Sequence, residues 1–208
     1  MRTRSKLLMA AIAAIALLGM AVSAASARNL ENPRFEKGFR IVWTPLTLEA
    51  GGRSIRCNVT LEGTYERSSI AKLAGNRIGR VTSANAGECT RGTATALRET
   101  LPWEVTYNSF TGTLPVIRTV TQNLIRSSFK AEVEGIACLA QTRTEQPARG
   151  IATVESGGAI TGYRADESAL IETTGGFFCS FGGPSHFAGA ASSITVRGGA
   201  EAQTIRLI

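Results

Sequence analysis

Apolar and polar residues alternate with a period of two over several stretches of this chain. In the clearest stretch, residues 55–62, the residues Ile, Cys, Val and Leu occupy one face while Arg, Asn, Thr and Glu occupy the other. The stretches 103–108 and 129–134 alternate in the same way. Because successive side chains of a β-strand point to opposite faces of its sheet, this pattern predicts strands with one buried face.

Several further stretches are rich in Ile, Val and Thr, and we predict shorter strands there because these residues favour strands. Glycine pairs separate many of these stretches, and glycine suits tight turns because it adopts positive φ without strain. The spacing of Val120, Leu124, Ile125 and Phe129 is helical, but these residues lie among threonines and are also interpreted as strand. The shorter predicted strands are 40–48, 77–84, 115–121, 136–142, 151–155, 168–173, 192–197 and 203–208.

Strands separated by glycine-rich turns, with no helices between them, indicate an all-β domain. We expect an antiparallel β-sandwich or a closed barrel of roughly 8–12 short strands. A single domain over residues 39–208 accounts for all of these stretches. The polar stretch 28–38 that precedes it, which contains Asn32-Pro33, is predicted to be a flexible leader.

Residues 1–27 have the three parts of a secretory signal peptide. A basic start without acidic residues precedes an apolar run over residues 7–22, and the small residues that follow contain the cleavage pattern Ala25-x-Ala27. This run is shorter than the roughly 20 residues of a typical membrane span. We therefore expect Sec-dependent export, cleavage before Arg28, no membrane span after cleavage, and a secreted or cell-envelope location.

All four cysteines follow the predicted signal peptide. An even number of cysteines in an exported protein predicts disulfides. Among the possible pairings we expect the sequential one, Cys57–Cys89 and Cys138–Cys179, because it closes the shortest loops. We expect no metal site, because the sequence has no Cys-x-x-Cys pair and only one histidine.

Cleavage of the signal peptide also changes the charge of the protein. The signal carries three of the 23 basic residues and none of the 16 acidic residues, so the formal net charge falls from +7 to +4. The arginines are scattered and form no basic stripe with interleaved aromatics, so nucleic-acid binding is not expected. A cell-envelope polymer or glycan stays open as a partner, because modest positive charge attracts anionic surfaces weakly. No cofactor is expected, because neither a phosphate-binding glycine loop nor a calcium-binding loop is present.

The chain offers few candidates for catalysis, and we favour a protein that is not an enzyme. His186 is the only histidine and follows a glycine-rich turn, so it is interpreted as a surface-loop residue without the orienting partner that a general base needs. Glu99 and Glu104 flank Trp103, and a Trp beside carboxylates suits a sugar-binding cleft, which makes a polysaccharide hydrolase one alternative. The favoured interpretation is that both glutamates are solvated and that the Trp belongs to the core.

Two segments of the chain resemble a group of small exported proteins of actinobacteria. One is residues 57–63, Cys-Asn-Val-Thr-Leu-Glu-Gly, and the other is residues 99–115, which contain Leu-Pro-Trp and then Phe-Thr-Gly-Thr-Leu-Pro. The resemblance extends over residues 53–140 and includes cysteines near the matching positions. It implies neither an activity nor any functional residue.

Taken together, these patterns predict a non-catalytic exported β-domain with a binding or structural role at the cell envelope or outside the cell. Two alternatives stay open. One is the polysaccharide hydrolase that uses glutamates near Trp103. The other is a small-molecule carrier, which requires that the sheet close into a barrel with an apolar interior. A fully packed interior would exclude the carrier.

Overall fold

The computed structural model describes residues 29–50, 52–113, 116–175, 179 and 184–207, so the predicted signal peptide lies outside the described residues. Most of the described part is β-strand, and two short 3-10 turns lie at Phe35–Lys37 and Arg98–Thr100. The strands are β1 (Asn29–Glu31), β2 (Phe39–Ala50), β3 (Arg53–Tyr65), β4 (Ser69–Ala71), β5 (Arg77–Thr90), β6 (Gly92–Ala96), β7 (Trp103–Thr111), β8 (Thr119–Ile125), β9 (Ser128–Val133), β10 (Ile136–Gln141), β11 (Ala148–Val154), β12 (Ile160–Ala165), β13 (Leu170–Gly175), β14 (Ser185–Ala188), β15 (Ser193–Val196) and β16 (Arg206–Leu207).

The three clearly alternating stretches are strands, as predicted. Their apolar residues face the interior, and the alternation places every second side chain there. Three strands are longer than expected, since β2, β3 and β5 have 12, 13 and 14 residues. The buried residues of the predicted stretches include Ile55, Cys57, Val59, Leu61, Trp103, Val105, Tyr107, Phe129 and Ala131.

Several of the weaker strand predictions differ from the structure in extent. Of the strand expected over 115–121, residues 116–118 are irregular and β8 begins at Thr119; of the one expected over 203–208, the described residues contain the short strand β16. Strands β4, β6, β12 and β14 have no counterpart among the predicted stretches. All four are short, with three to six residues. An alternation of apolar and polar residues is hard to recognise over so few positions.

Thirteen strands form one antiparallel sheet that curls into a half-barrel. The order is β12-β11-β8-β7-β5-β3-β2-β14-β13-β10-β9-β6, and β15 also pairs with β2. All of the described strand pairs are antiparallel. The predicted antiparallel all-β fold is therefore confirmed, in the form of one curled sheet.

Irregular segments enclose the interior on the side that the sheet leaves open, next to β12. The backbone N–H of Ala191 donates to the carbonyl of Tyr163 at 2.7 Å, and that of Ile160 donates to the carbonyl of Gln203 at 2.8 Å. The fully buried Gln203 side chain donates in turn to the carbonyl of Thr195 in β15 at 3.1 Å. These bonds therefore connect β12 with the segments that precede and follow β15.

The structure corrects the prediction that residues 28–38 form a flexible leader. Residues 29–31 form β1, which pairs with β4 and β16 in a second sheet of three strands. Leu30 is only 1% exposed and lies opposite Ile70 in the register. These partners are distant in sequence, so the polar composition of the stretch does not reveal them.

Both expected disulfides are present, and they lie in the same part of the molecule. Cys57 and Cys89 join neighbouring positions of β3 and β5, while Cys138 of β10 is bonded to the fully buried Cys179. We call this part the disulfide half and the other part the cavity half, and the long strands β2, β3 and β5 run through both. The disulfide half comprises β6, β9, β10, β13 and β14 with residues 46–50, 53–57 and 86–90, and the cavity half comprises β7, β8, β11, β12 and β15 with residues 39–43, 59–65 and 77–84.

Candidate functional site

The interior of the cavity half contains a cavity of about 70 Å³. Apolar residues on the inward faces of the strands form most of its wall, among them Ile41 of β2, Leu61 of β3 and Ala152 of β11. Phe129 and Phe187 line it from the disulfide half, and the same two rings line a second cavity of about 20 Å³. These rings therefore separate a larger space in the cavity half from a smaller one in the disulfide half.

Polar residues also line this cavity, and one of them has an unpaired buried atom among the described residues. Trp43 is 4% exposed and lines the cavity, yet its Nε1 has no hydrogen-bond acceptor among the described residues. Tyr65, Gln122 and Tyr163 line it as well. Buried polar groups in proteins are nearly always hydrogen-bonded, because an unpaired one loses its bonds to water without replacement. An unpaired indole N–H beside a cavity is therefore a candidate contact for a guest molecule.

The two tyrosines are neutral phenols at physiological pH. Burial raises the pKa of the Tyr65 hydroxyl, and proximity to Tyr163 raises it further. Burial likewise raises the pKa of the Tyr163 hydroxyl. Each hydroxyl can thus donate one hydrogen bond and accept others.

Gly150 gives the Tyr163 ring its position. A Cβ at position 150 would overlap the phenol oxygen of Tyr163, so a side chain there would displace the ring. The Tyr163 ring also meets the Trp43 ring edge-on, with centroids 5.8 Å apart. The glycine of β11 therefore allows two aromatic residues with polar atoms to sit together at the cavity wall.

Charged groups near the cavity are paired with one another. Arg149 lies between the inward-facing Ala148 and Gly150 on β11, so its side chain turns to the outer face, where Nε lies 3.3 Å from Asp166 Oδ2. Burial raises the pKa of the Asp166 carboxyl, but two hydrogen bonds from Ser168 and the charges of Arg149 and Arg164 outweigh it and hold this pKa below its ordinary value. The guanidinium of Arg149 is therefore committed to a carboxylate outside the cavity.

The glutamates considered for catalysis lie on the outside of the protein. Glu99 is exposed in a 3-10 turn, and Glu104 of β7 forms an ion pair with Arg126 at 3.3 Å. Trp103 is fully buried, and its Nε1 donates to the Thr100 hydroxyl at 2.7 Å. Since neighbouring residues of a strand point to opposite faces, Trp103 and Glu104 cannot line the same cleft, and the buried Trp103 ring offers no face to a sugar.

His186 lies in strand β14, which corrects the prediction that it belongs to a surface loop. It is paired in register with Glu49 of β2 and Leu170 of β13. Its Nε2 lies 3.5 Å from Glu49 Oε2, and its side chain is 22% exposed. No ion pair or hydrogen bond within the described residues joins His186 to Glu99 or Glu104, so the three candidates do not form one site there.

Other classes of site find no support in the part of the chain that the structure describes. It contains no group of three or more His, Cys, Asp or Glu side chains that could hold a metal ion. None of its helices is long and apolar enough to cross a membrane. No protein-family model, no curated protein and no solved structure matches the chain. The resemblance to exported actinobacterial proteins thus stays a prediction.

The polar residues of the cavity were not among the sequence-based candidates, although the sequence pattern indicates the position of one of them. Val120, Gln122 and Leu124 occupy alternate positions of β8, so the pattern places a glutamine on an inward face among apolar residues. Trp43 is an ordinary buried core residue by its position in β2. Its unpaired N–H depends on which groups surround it, and no spacing in the sequence encodes that.

Proposed function

We propose that this protein is an exported, non-catalytic binding domain that carries a small molecule in the cavity of its cavity half, although its sheet is a half-barrel and not the closed barrel that we expected a carrier to need. The observation that supports this most directly is the cavity itself, which combines an apolar wall with a buried, unpaired polar group. This is the usual composition of small-molecule sites, in which apolar walls supply contact area and a few polar atoms fix the orientation of the ligand.

Export rests on two independent features. The first 27 residues have the organisation of a signal peptide, and two disulfides occur in the part that follows. Disulfides persist in oxidising compartments and are rare in the cytosol. We therefore propose that the protein works after cleavage before Arg28, in the secreted or cell-envelope space.

A non-catalytic role is favoured by the arrangement of the titratable side chains. Catalysis by acids, bases or nucleophiles requires such groups within hydrogen-bond reach of one reacting centre. Glu104 is paired with Arg126 on an outer face and His186 with Glu49 in another part of the sheet. The inward-facing polar groups, in contrast, are neutral and suited to hydrogen bonding.

Two alanines provide a matched test of the cavity. Ala152 and Ala140 are each 1% exposed, but only Ala152 lines the cavity. We expect Ala152→Leu to fill the cavity and change the free energy of unfolding by less than about 1 kcal/mol, whereas Ala140→Leu overpacks a filled region and costs about 1–3 kcal/mol. Urea unfolding of both variants measures this difference.

The same variants test the function. The secreted protein is incubated with a small-molecule extract of the growth medium, separated by gel filtration and denatured, and the released compounds are identified by mass spectrometry. We expect compounds that the wild-type protein and Ala140→Leu retain and that Ala152→Leu does not. If the wild-type protein retains nothing beyond what Ala152→Leu retains, the proposed function is wrong.

A further inference from the structure

The chemistry of the cavity wall restricts the kind of ligand that it can hold, provided that the proposed function is right. Trp43 imposes the strictest condition, because an indole N–H donates a hydrogen bond and accepts none. This donor is buried and has no acceptor among the described residues. A ligand therefore has to bring an oxygen or nitrogen acceptor if the N–H is to be satisfied.

The second condition concerns charge. Among the described residues that line the cavity, Arg149 alone is charged, and its guanidinium is bound to Asp166 on the outer face. An ion placed inside would thus be separated from water without a counter-charge, which is far more costly than the burial of a neutral polar group. The cavity favours neutral molecules.

The third condition is size. The volume of about 70 Å³ exceeds several-fold the roughly 10–15 Å³ that one water molecule requires. It is about half of the ~150 Å³ of an engineered protein cavity that binds benzene. The space thus suits a group of roughly four heavy atoms, by comparison with those two volumes. Three of the lining residues, Leu124, Phe187 and Ile194, are only partly buried, so a larger ligand could reach past them.

We propose that the cavity binds a compact neutral molecule, or the compact neutral end of a larger one, that carries a hydrogen-bond acceptor such as a carbonyl or hydroxyl oxygen, and that Trp43 Nε1 donates to this acceptor. The neutral hydroxyls of Tyr65 and Tyr163 and the amide of Gln122 supply further donors and acceptors around the same space. An anion such as a carboxylate is excluded although it accepts hydrogen bonds, because the cavity offers no positive charge.

Three probes of equal size separate these conditions. Acetamide, acetate and isobutane each have about four heavy atoms, the size that the cavity volume suggests. Acetamide is neutral and has an acceptor, acetate has acceptors and a charge, and isobutane is neutral without an acceptor. Each is titrated into the full, disulfide-bonded protein at matched free concentrations while NMR follows the indole N–H signals and the methyl signals of Ala152 and Ile160.

The protein contains two tryptophans, and the second provides an internal control. Trp103 Nε1 already donates to Thr100, so its signal should not respond. We expect acetamide to move the Trp43 N–H signal downfield along a saturating curve, because its carbonyl oxygen accepts from this N–H, whereas isobutane should shift the methyl signals without that downfield shift. Acetate should leave the Trp43 signal unchanged.

A Trp43→Phe variant tests the donor directly. It keeps an aromatic ring and removes the N–H, so acetamide should bind about tenfold more weakly than it binds the wild-type protein, since one buried hydrogen bond corresponds to a factor of this order. Isobutane should bind both proteins about equally. If acetate binds as well as acetamide, or if Trp43→Phe binds acetamide as tightly as the wild-type protein does, the assigned ligand class is wrong and the cavity remains a binding site. If none of the three probes shifts any signal from the cavity wall, the proposed function falls with the ligand class.

Discussion

The two halves of this protein are built from the same three long strands, yet they differ in how well their interiors are filled. The cavity half encloses about 70 Å³, while the two cavities lined by the disulfide half are about 20 Å³ each. Both disulfides lie in the disulfide half. In the cavity half, aromatic rings with polar atoms face one another. The contrast suggests that one half supplies stability and the other retains space for a guest.

The long strands change register near the boundary between the halves. The pairing of β2 with β3 is irregular between Trp43 and Leu46, and that of β3 with β5 between Cys57 and Asn58. An irregularity of this kind bends a strand and increases its local twist. The strands can therefore follow one curvature around the filled interior and another around the cavity.

Among the changes that test the difference between the two halves, removal of a disulfide should lower the free energy of unfolding most. We expect Cys57→Ala combined with Cys89→Ala to lower the free energy of unfolding by about 3–4 kcal/mol, because the bond closes a loop with a sequence separation of 32 residues. Urea unfolding measures the loss. Hydrogen exchange should accelerate more in β6 and β9 than in β11 and β12, and uniform acceleration would contradict a division of stability between the halves.

The two tryptophans provide the next largest contrast. Trp103→Phe removes buried ring area and leaves the Thr100 hydroxyl without its donor, so we expect a loss of about 2–3 kcal/mol. Trp43→Phe also removes ring area, but it eliminates an unpaired buried donor, and we expect a loss below about 1 kcal/mol. Chemical unfolding of both variants at neutral pH checks the difference, and equal losses would remove the distinction between the two indoles.

At neutral pH the smallest expected effect is that of the two tyrosines, because their contribution to stability changes only at alkaline pH. Burial raises the pKa of the Tyr65 and Tyr163 hydroxyls above their ordinary value of 10, so above pH 10 the folded protein binds more protons than the unfolded chain. Stability is therefore complete below pH 10 and decreases as the pH rises beyond it, by at most about 1.4 kcal/mol per tyrosine and pH unit.

The double variant Tyr65→Phe with Tyr163→Phe should lose less stability than the wild-type protein between pH 9 and about pH 11. Unfolding curves at the two pH values provide the measurement, and the value at pH 9 serves as the control. Both tyrosines lie in the cavity half, so hydrogen exchange at high pH should increase there first. An equal pH dependence of both proteins would show that these hydroxyls are not buried as described.

Much of the fold could be predicted because its signals are local. Ile55, Cys57, Val59 and Leu61 alternate with polar residues over a single strand, and the register of a strand with one buried face follows from such a pattern. The observed disulfides are the sequential pairs, which is the pairing expected because it closes the shortest loops. In contrast, β1 is held by Ile70 and by β16 at the other end of the chain, and no local pattern contains those contacts.

The candidate site was less accessible to prediction. Glu99, Glu104 and His186 drew attention because their side chains can perform chemistry, yet the structure pairs two of them with Arg126 and Glu49 and leaves Glu99 exposed. The residues of the cavity are ordinary strand residues by type. They form a candidate site because they surround an unfilled volume and because one of them, Trp43, has an unpaired N–H.

The sequence by itself determined the β-class of this protein and the inward faces of its best strands, because both depend on periodicity. It favoured the sequential pairing of the cysteines, and the structure decided that pairing. The sequence also predicts export through residues 1–27. Only the tertiary structure decided that the sheet curls into a half-barrel, that residues 29–31 belong to the fold, and that a cavity persists beside Trp43. A cavity is the difference between an enclosed volume and the side chains that fill it, and that difference exists only once distant strands have come together.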